Sequence, residues 1–182
     1  QALAACLTWW NRGHRVPVSV NLTADDLAGH GIRELVDDTL RRYGLPGSAL
    51  HVEITEDALL TDRSRVAEML SLWRADGVKI SIDDYGTGYS SLAYLRELPV
   101  DEVKLDQVFT ADLGRRTTLT IVRHTIAMAH GLRLSVVAEG IEDSTTARSL
   151  TDMGCDMGQG LYFGAAMSPS DFLIRLKEGT PR

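Results

Sequence analysis

The chain has 182 residues, 44% of them hydrophobic and 24% charged, a composition typical of one folded domain over residues 1–182 rather than of a disordered segment. Its formal net charge of -6 argues against a protein that binds nucleic-acid polymers through a broad basic surface. Cys6 and Cys155 form no paired motif, and no apolar run reaches the roughly 18 residues of a membrane span, so we predict a cytoplasmic domain without disulfides or membrane contact.

Short apolar runs alternate along the chain with segments of helical period. Successive runs start about 25 to 35 residues apart, which is the length of a βα repeat. They are VPVSVNL, LHVEIT, VKISIDD, EVKLD, LRLSVVAEG and a last strand from Met157 to Phe163. The pattern predicts an α/β fold with a parallel sheet.

Four helices are predicted between these strands. The first begins at the capping-box pair Thr23 and Asp26, carries apolar residues such as Leu35 at helical spacing, and ends at Gly44. The second starts near Val66 and ends before Gly77, the third starts at Ser90 or Ser91 and ends before Pro99, and the fourth covers Thr117 to Ala129 and is closed by Gly131. Six strands are fewer than the eight that close a (β/α)8 barrel of roughly 250 residues. Either the sheet is open, or the first strands of a barrel are missing.

Polar residues stand at or just beyond the carboxyl ends of the predicted strands, where parallel α/β proteins bind ligands. Each has an ordinary interpretation of its own, as a turn residue or half of an ion pair, but independent turn residues need not converge on one end of a sheet. They are Asn21, Glu53, Asp83, Asp84, Lys104, Asp106, Glu139, Glu142 and Gln159.

Oxygen donors without His or Cys favour Mg²⁺ or Mn²⁺ over zinc. The adjacent Asp83 and Asp84 are suited to two ions, since one carboxylate can bridge them while its neighbour binds the second. Two ions about 3.5 to 4 Å apart stabilise the attacking and leaving oxygens of a phosphoryl displacement. Lys104 adds a cation for the water or the developing charge. These residues therefore predict metal-assisted phosphodiester hydrolysis.

The ordered motifs resemble a known family of bacterial enzymes. VSVNLTADDL, LHVEITE, SIDDYGTGYSSLAYLRELPVDEVKLD, VVAEGIE and GCDMGQG are similar to the signature of the EAL-domain family of cyclic di-GMP phosphodiesterases. The resemblance implies a (β/α)8 TIM-type barrel that hydrolyses cyclic di-GMP to pGpG with two Mg²⁺ or Mn²⁺ ions. It also implies a homodimer and an upstream sensory or cyclase domain as possible partners.

The resemblance implies a role for each candidate residue. Metal ligands are expected at Asn21, Glu53, Asp83, Asp84 and Glu139, with Asp84 and Glu139 near the second ion, and Lys104 is expected to orient the attacking water. Supporting or substrate-binding roles are expected for Asp106, Glu142 and Gln159. A loop that links the metal site to the dimer interface is expected at Tyr85, Gly86, Thr87 and Gly88.

The Glu-Ala-Leu tripeptide of the family, whose glutamate is a metal ligand there, has no counterpart in this chain. We therefore expect an N-terminally truncated domain that lacks the first strand or two of its barrel. Two main hypotheses stay open: an enzyme in its full form, or an EAL-type module that binds cyclic di-GMP or a protein without turnover. An unrelated enolase-type barrel is a third, but its chemistry requires no adjacent aspartates.

Overall fold

A computed structural model describes residues 1–29, 31–55, 58, 63–86 and 95–178 of the chain. Strands and helices alternate through most of this part. The strands are β1 Val18–Leu22, β2 Leu50–Thr55, β3 Lys79–Tyr85, β4 Glu102–Leu105, β5 Ser135–Ala138 and β6 Met157–Gly158. The helices are α1 Ala2–Trp10, α2 Ala24–Ala28, α3 Ile32–Tyr43, α4 Arg63–Ala75, α5 Gln107–Ala111, α6 Arg116–Gly131, α7 Ser144–Asp152 and α8 Pro169–Glu178.

The strands form one parallel sheet in chain order, from β1 at one edge to β6 at the other. The predicted α/β class and parallel sheet are confirmed. Within the described residues β1 and β6 remain edge strands, so the six strands make an incomplete barrel, as predicted.

The two faces of the sheet differ in polarity because side chains alternate along each strand. One face carries buried Val52, Ile54, Ile80, Val103 and other apolar residues, which join the helices in the main core. The opposite, inner face carries polar residues on five strands: Ser19, Asn21, His51, Glu53, Lys79, Ser81, Asp83, Glu102, Lys104 and Ser135. The helix side of the strands is therefore apolar, whereas their inner face is largely polar.

The single predicted helix from Thr23 to Gly44 is wrong. Thr23 does cap a helix through the predicted box with Asp26, but that helix ends at Ala28. Gly29 is extended, and Gly31, with φ 107°, is left-handed before α3 begins. The apolar residues keep helical spacing across this break, so the spacing alone did not reveal it. The two glycines allow the break because glycine adopts non-helical backbone angles without steric cost. Leu35, assigned to the apolar face, is 62% exposed.

The other predicted elements differ in outcome. The helix predicted from Val66 to before Gly77 is confirmed as α4, and the helix predicted over Thr117 to Ala129 is confirmed as α6, which also includes Gly131. The predicted last strand is wrong in extent, since β6 ends at Gly158 and a turn follows. Most of the helix predicted to start at Ser90 or Ser91 lies outside the described residues. No helix found in the described part of the chain is both long and apolar enough to cross a membrane.

Candidate active site

Four charged side chains meet at the carboxyl end of the inner face, and we call them the carboxyl-end cluster. Lys104 Nζ donates a hydrogen bond to Glu53 Oε2 at 2.7 Å. It lies 2.9 Å from Asp83 Oδ1 and 2.7 Å from Glu139 Oε1. Its side chain is 6% exposed, and those of the three acids are 12% to 20% exposed. One ammonium thus serves three carboxylates from separate segments of the chain.

Strand register explains this convergence. Glu53 lies in β2, Asp83 near the end of β3 and Lys104 in β4. Glu139 directly follows β5, and its N–H continues the ladder by donating to Leu105 O at 3.0 Å. Because the strands are parallel, their carboxyl ends meet at one edge, and alternation turns these side chains to the same face.

A bulge in β3 accommodates the adjacent aspartates. Ile82 pairs with Val103, but Tyr85 rather than Asp84 pairs with Leu105, so β3 carries one extra residue. Asp84 has the left-handed φ of 54° that Asp tolerates better than most residues. Tyr85 consequently joins the apolar core, while Asp83 keeps its place beside Lys104.

The acids keep the pKa of Lys104 raised. Burial alone would lower the pKa of this ammonium, but its hydrogen bonds with Glu139 and Glu53 and the close carboxylate of Asp83 outweigh that effect. Lys104 therefore stays charged at neutral pH and acts as a donor and a positive charge, not as a proton acceptor. Asp83 Oδ1 is buried without a well-aligned hydrogen bond from any described residue, so its contact with Lys104 is an ion pair that leaves a lone pair available.

Two acids at this edge have raised pKa values. Burial raises the pKa of Glu139, Lys104 opposes the shift, and the charges of Asp83 and Glu53 add to it. Burial also raises the pKa of Asp84, followed by the charge of Asp83 and a hydrogen bond with Asp106. Asp84 therefore takes up a proton more readily than an ordinary aspartate.

The remaining predicted residues lie around the cluster. Asn21 is exposed on β1, beside Glu53 in the sheet register. Glu142 and Gln159 are also exposed; the backbone of Gln159 pairs with Ala138 and Ile141. Their side chains make no contact with Lys104 among the bonds described. Gly86 has a left-handed φ of 97°; it is exposed on one side and lies close to the Phe109 ring on the other. Thr87 and Gly88 lie outside the described residues.

Sequence reasoning missed a second polar group one layer deeper, which we call the amino-end cluster. Glu102 accepts hydrogen bonds from Ser81 Oγ at 2.8 Å, Lys79 Nζ at 2.6 Å and Ser135 Oγ at 3.1 Å. The sequence did contain a signal for this cluster. Glu102 and Lys104 are two positions apart, as are Ser81 and Asp83, and residues at this spacing share one face of a strand.

The carboxyl-end cluster fits a divalent cation in its chemistry. Its carboxylate oxygens, together with the Asn21 amide, are hard donors of the kind that Mg²⁺ and Mn²⁺ prefer. Three acids against one lysine leave excess negative charge when all are ionised, and Asp83 Oδ1 has an unused lone pair. As arranged here, no three acid, His or Cys side chains of the described part are close enough to enclose an ion; the cation that these acids share is Lys104.

Comparison with known proteins finds a matching family and similar sequences. The family model of the EAL domain matches residues 1–166. Cyclic di-GMP phosphodiesterase PA2567 of Pseudomonas aeruginosa is 37% identical over 92% of this chain and 29% of its own length. Cyclic di-GMP phosphodiesterase NbdA of the same organism is 41% identical over 83% of this chain and 20% of its own length. The chain thus spans less than a third of these relatives.

Solved structures share the fold over nearly the whole chain. The EAL domain of Mycobacterium smegmatis DcpA has a TM-score of 0.94 at 33% identity, covering 100% of this chain and 82% of that one. The phosphodiesterase PaMucR in complex with c-di-GMP has a TM-score of 0.89 at 36% identity, covering 94% and 70%. Klebsiella pneumoniae BlrP1 with manganese and cy-diGMP has a TM-score of 0.80 at 28% identity, covering 90% and 42%.

Proposed function

This chain belongs to the EAL domain family, and on that premise we propose that its full domain is a phosphodiesterase that hydrolyses cyclic di-GMP to pGpG with two bound Mg²⁺ or Mn²⁺ ions. Residues 1–182 contribute one EAL-type unit to that domain. The proposal names a substrate that relatives carry in their names and structures, and a chemistry that the carboxyl-end cluster is suited to support.

One observation carries the proposal. Lys104 Nζ lies within 2.9 Å of oxygens from Glu53, Asp83 and Glu139, which come from three different parts of the sheet edge. Three partly buried acids around one ammonium leave uncompensated negative charge, and a buried charge without a partner costs several kcal/mol of stability. Cations gathered at a phosphodiester would compensate this charge.

Ions at this edge would be held by Asn21, Glu53, Asp83, Asp84 and Glu139. Such ions, when bound, lower the pKa of a water and neutralise charge on the reacting phosphate. Because the pKa of Asp84 is raised, protons compete with an ion for its carboxylate.

Lys104 supplies the fixed positive charge of the reaction. Its ammonium stays protonated, so it donates hydrogen bonds that orient the attacking water or stabilise the charge that develops on phosphate oxygens. The water oxygen forms the new bond to phosphorus and releases one proton, the bond from phosphorus to O3′ breaks, and the departing O3′ takes up one proton, so that one water is consumed. The product is the linear dinucleotide with a 5′-phosphate.

The test is incubation of the full domain with cyclic di-GMP and Mn²⁺, followed by chromatography for pGpG. We expect pGpG from the wild type and almost none from Asp83→Asn, which keeps the shape of the side chain but removes its charge. Retained binding of cyclic di-GMP without any product would refute the enzyme and assign the receptor alternative. Product without added divalent ion, in the presence of a chelator, would refute the metal requirement.

A further inference from the structure

The short helix α5 contacts both loops that carry the acids of the site. Its capping residue Asp106 accepts a hydrogen bond from Val108 N–H at 2.7 Å, and Asp106 lies near enough to Asp84 to raise the pKa of that acid. The ring of Phe109 lies against Gly86, so closely that a Cβ on this glycine would be 2.9 Å from ring carbons. These two contacts tie α5 to the segment after β3.

Thr110 ties the same helix to the segment after β5. Its side chain is buried, and its Oγ1 lies 2.6 Å from the backbone carbonyl oxygen of Glu139. The alternative acceptor within the helix, Gln107 O, is farther away at 3.0 Å. Glu139 N–H is already bonded to Leu105 O. The backbone of Glu139 is therefore held from β4 on one side and from α5 on the other.

Gly140 makes this approach possible. It has a left-handed φ of 65°, and a Cβ at this position would lie 2.5 Å from Gln107 Cβ and 3.2 Å from Thr110 Oγ1. No side chain fits between the loop and the helix. Because Gly140 has no side chain, the Thr110 hydroxyl can reach the carbonyl oxygen of Glu139.

We propose that Thr110 is a positioning residue, whose hydroxyl fixes the Glu139 backbone so that the Glu139 carboxylate reaches Lys104 and the ions of the site. The role of Glu139 in turnover rests on the proposed function, whereas the anchoring itself does not. A buried carbonyl that loses its donor seeks another partner, and the end of β5 would shift with it. A displacement of about 1 Å at a catalytic constellation is enough to slow turnover strongly.

The test compares Thr110→Val, which keeps the shape but not the hydroxyl, with Thr110→Ser, which keeps the hydroxyl. Thr120→Val is the matched control, because the Thr120 hydroxyl also donates to a backbone carbonyl, that of Arg116, but is exposed on α6. The first measurement is amide hydrogen exchange at Glu139 in the full domain without metal or substrate. We expect exchange about tenfold faster in Thr110→Val, equivalent to one lost hydrogen bond, and wild-type exchange in Thr110→Ser and Thr120→Val.

The second measurement is the kinetics of pGpG formation. We expect kcat to fall about tenfold in Thr110→Val, with KM within about twofold of wild type and kcat restored in Thr110→Ser. Gly140→Ala should produce the same two effects by displacing α5, and it keeps the test informative if Thr110→Val fails to fold. Gly114→Ala is its control, since nothing lies within 4 Å of a Cβ there.

Unchanged Glu139 exchange in both Thr110→Val and Gly140→Ala would overturn the proposal. Equal losses of kcat in Thr110→Val and Thr110→Ser would overturn it as well, since the hydroxyl would then be irrelevant. If the wild-type domain makes no pGpG, the proposed function fails, and the exchange of Glu139 still decides whether Thr110 holds it.

Discussion

The carboxyl-end and amino-end clusters lie on the same face of the same strands, yet their charges are inverted. In the amino-end cluster one carboxylate, Glu102, is matched by the Lys79 ammonium and two serine hydroxyls. In the carboxyl-end cluster one ammonium, Lys104, faces three carboxylates. The charges of the amino-end cluster are balanced, whereas the carboxyl-end cluster has excess negative charge. Polar residues inside a barrel therefore serve stability or function according to whether their charges are already balanced.

The largest expected effect is on turnover, through Lys104→Met. Removing the ammonium should lower kcat by about 10²- to 10³-fold, as the loss of one donor to a developing charge does elsewhere. Lys79→Met is the matched change in the amino-end cluster, and its effect on kcat should be much smaller because Lys79 lies a layer away from the acids. The measurement is the rate of pGpG formation. Equal losses in the two variants would show that the clusters do not differ in role.

The next effect is on stability, through Glu102→Leu. This change leaves the Lys79 ammonium without its carboxylate and should lower the free energy of unfolding by about 3 kcal/mol, the lower end of the range for breaking a buried pair. We expect the lower end of that range because the Lys79 side chain is partly exposed, so water can solvate its ammonium when the carboxylate is removed. Urea unfolding measures it. The double variant Lys79→Met/Glu102→Leu should recover most of the loss, and a double variant no more stable than the single one would contradict the pairing.

A third test asks which cluster responds to added cation. Mn²⁺ at about 100 times its Kd should raise the free energy of unfolding of the full domain by about 2.7 kcal/mol. Asp83→Asn should remove most of this gain, and Ser81→Ala, one layer deeper on the same strand, should retain it. Urea unfolding with and without Mn²⁺ distinguishes them. A gain that survives Asp83→Asn would place the ion elsewhere.

The smallest effect is a dependence of stability on pH. The pKa of Glu139 is raised in the folded protein, so the folded state binds its proton more tightly than the unfolded state. Without metal, this contribution to stability is present below the ordinary pKa of a glutamate and is lost as pH rises through the raised value. With saturating Mn²⁺ the slope should reverse, because the ion competes with the proton. Glu139→Gln should flatten the metal-free slope, and an unchanged slope would assign it to other groups.

The location of most carboxyl-end cluster residues could be predicted from the sequence, because parallel strands bring their carboxyl ends together whatever their detailed packing. Glu53, Asp83, Lys104 and Glu139 needed no other information to be placed at one edge. The break at Gly29 and Gly31 was not foreseen, since apolar periodicity continues across it. The contact of Thr110 with Glu139 was also hidden, because it joins residues 29 positions apart through a helix of only five residues.

The amino-end cluster was missed for a different reason. Runs such as VKISIDD contain enough apolar residues to resemble strands buried on both faces, although Lys79 and Ser81 alternate with the apolar residues. Their partner Glu102 lies on the next strand, so the charge balance depends on register rather than on local composition. Polar alternation in neighbouring strands is the signal that would have identified a polar barrel interior.

The bulge at Asp84 limits which amino acids that position can carry. A left-handed backbone at φ 54° is readily adopted by Gly, Asn and Asp, while most other side chains are strained there. Neutralising this acid without disturbing β3 is therefore confined to Asn and Gly. A variant library at position 84 would mix two causes of inactivity, lost charge and a straightened strand, and the Asn variant alone isolates the first while keeping a side chain of the same shape.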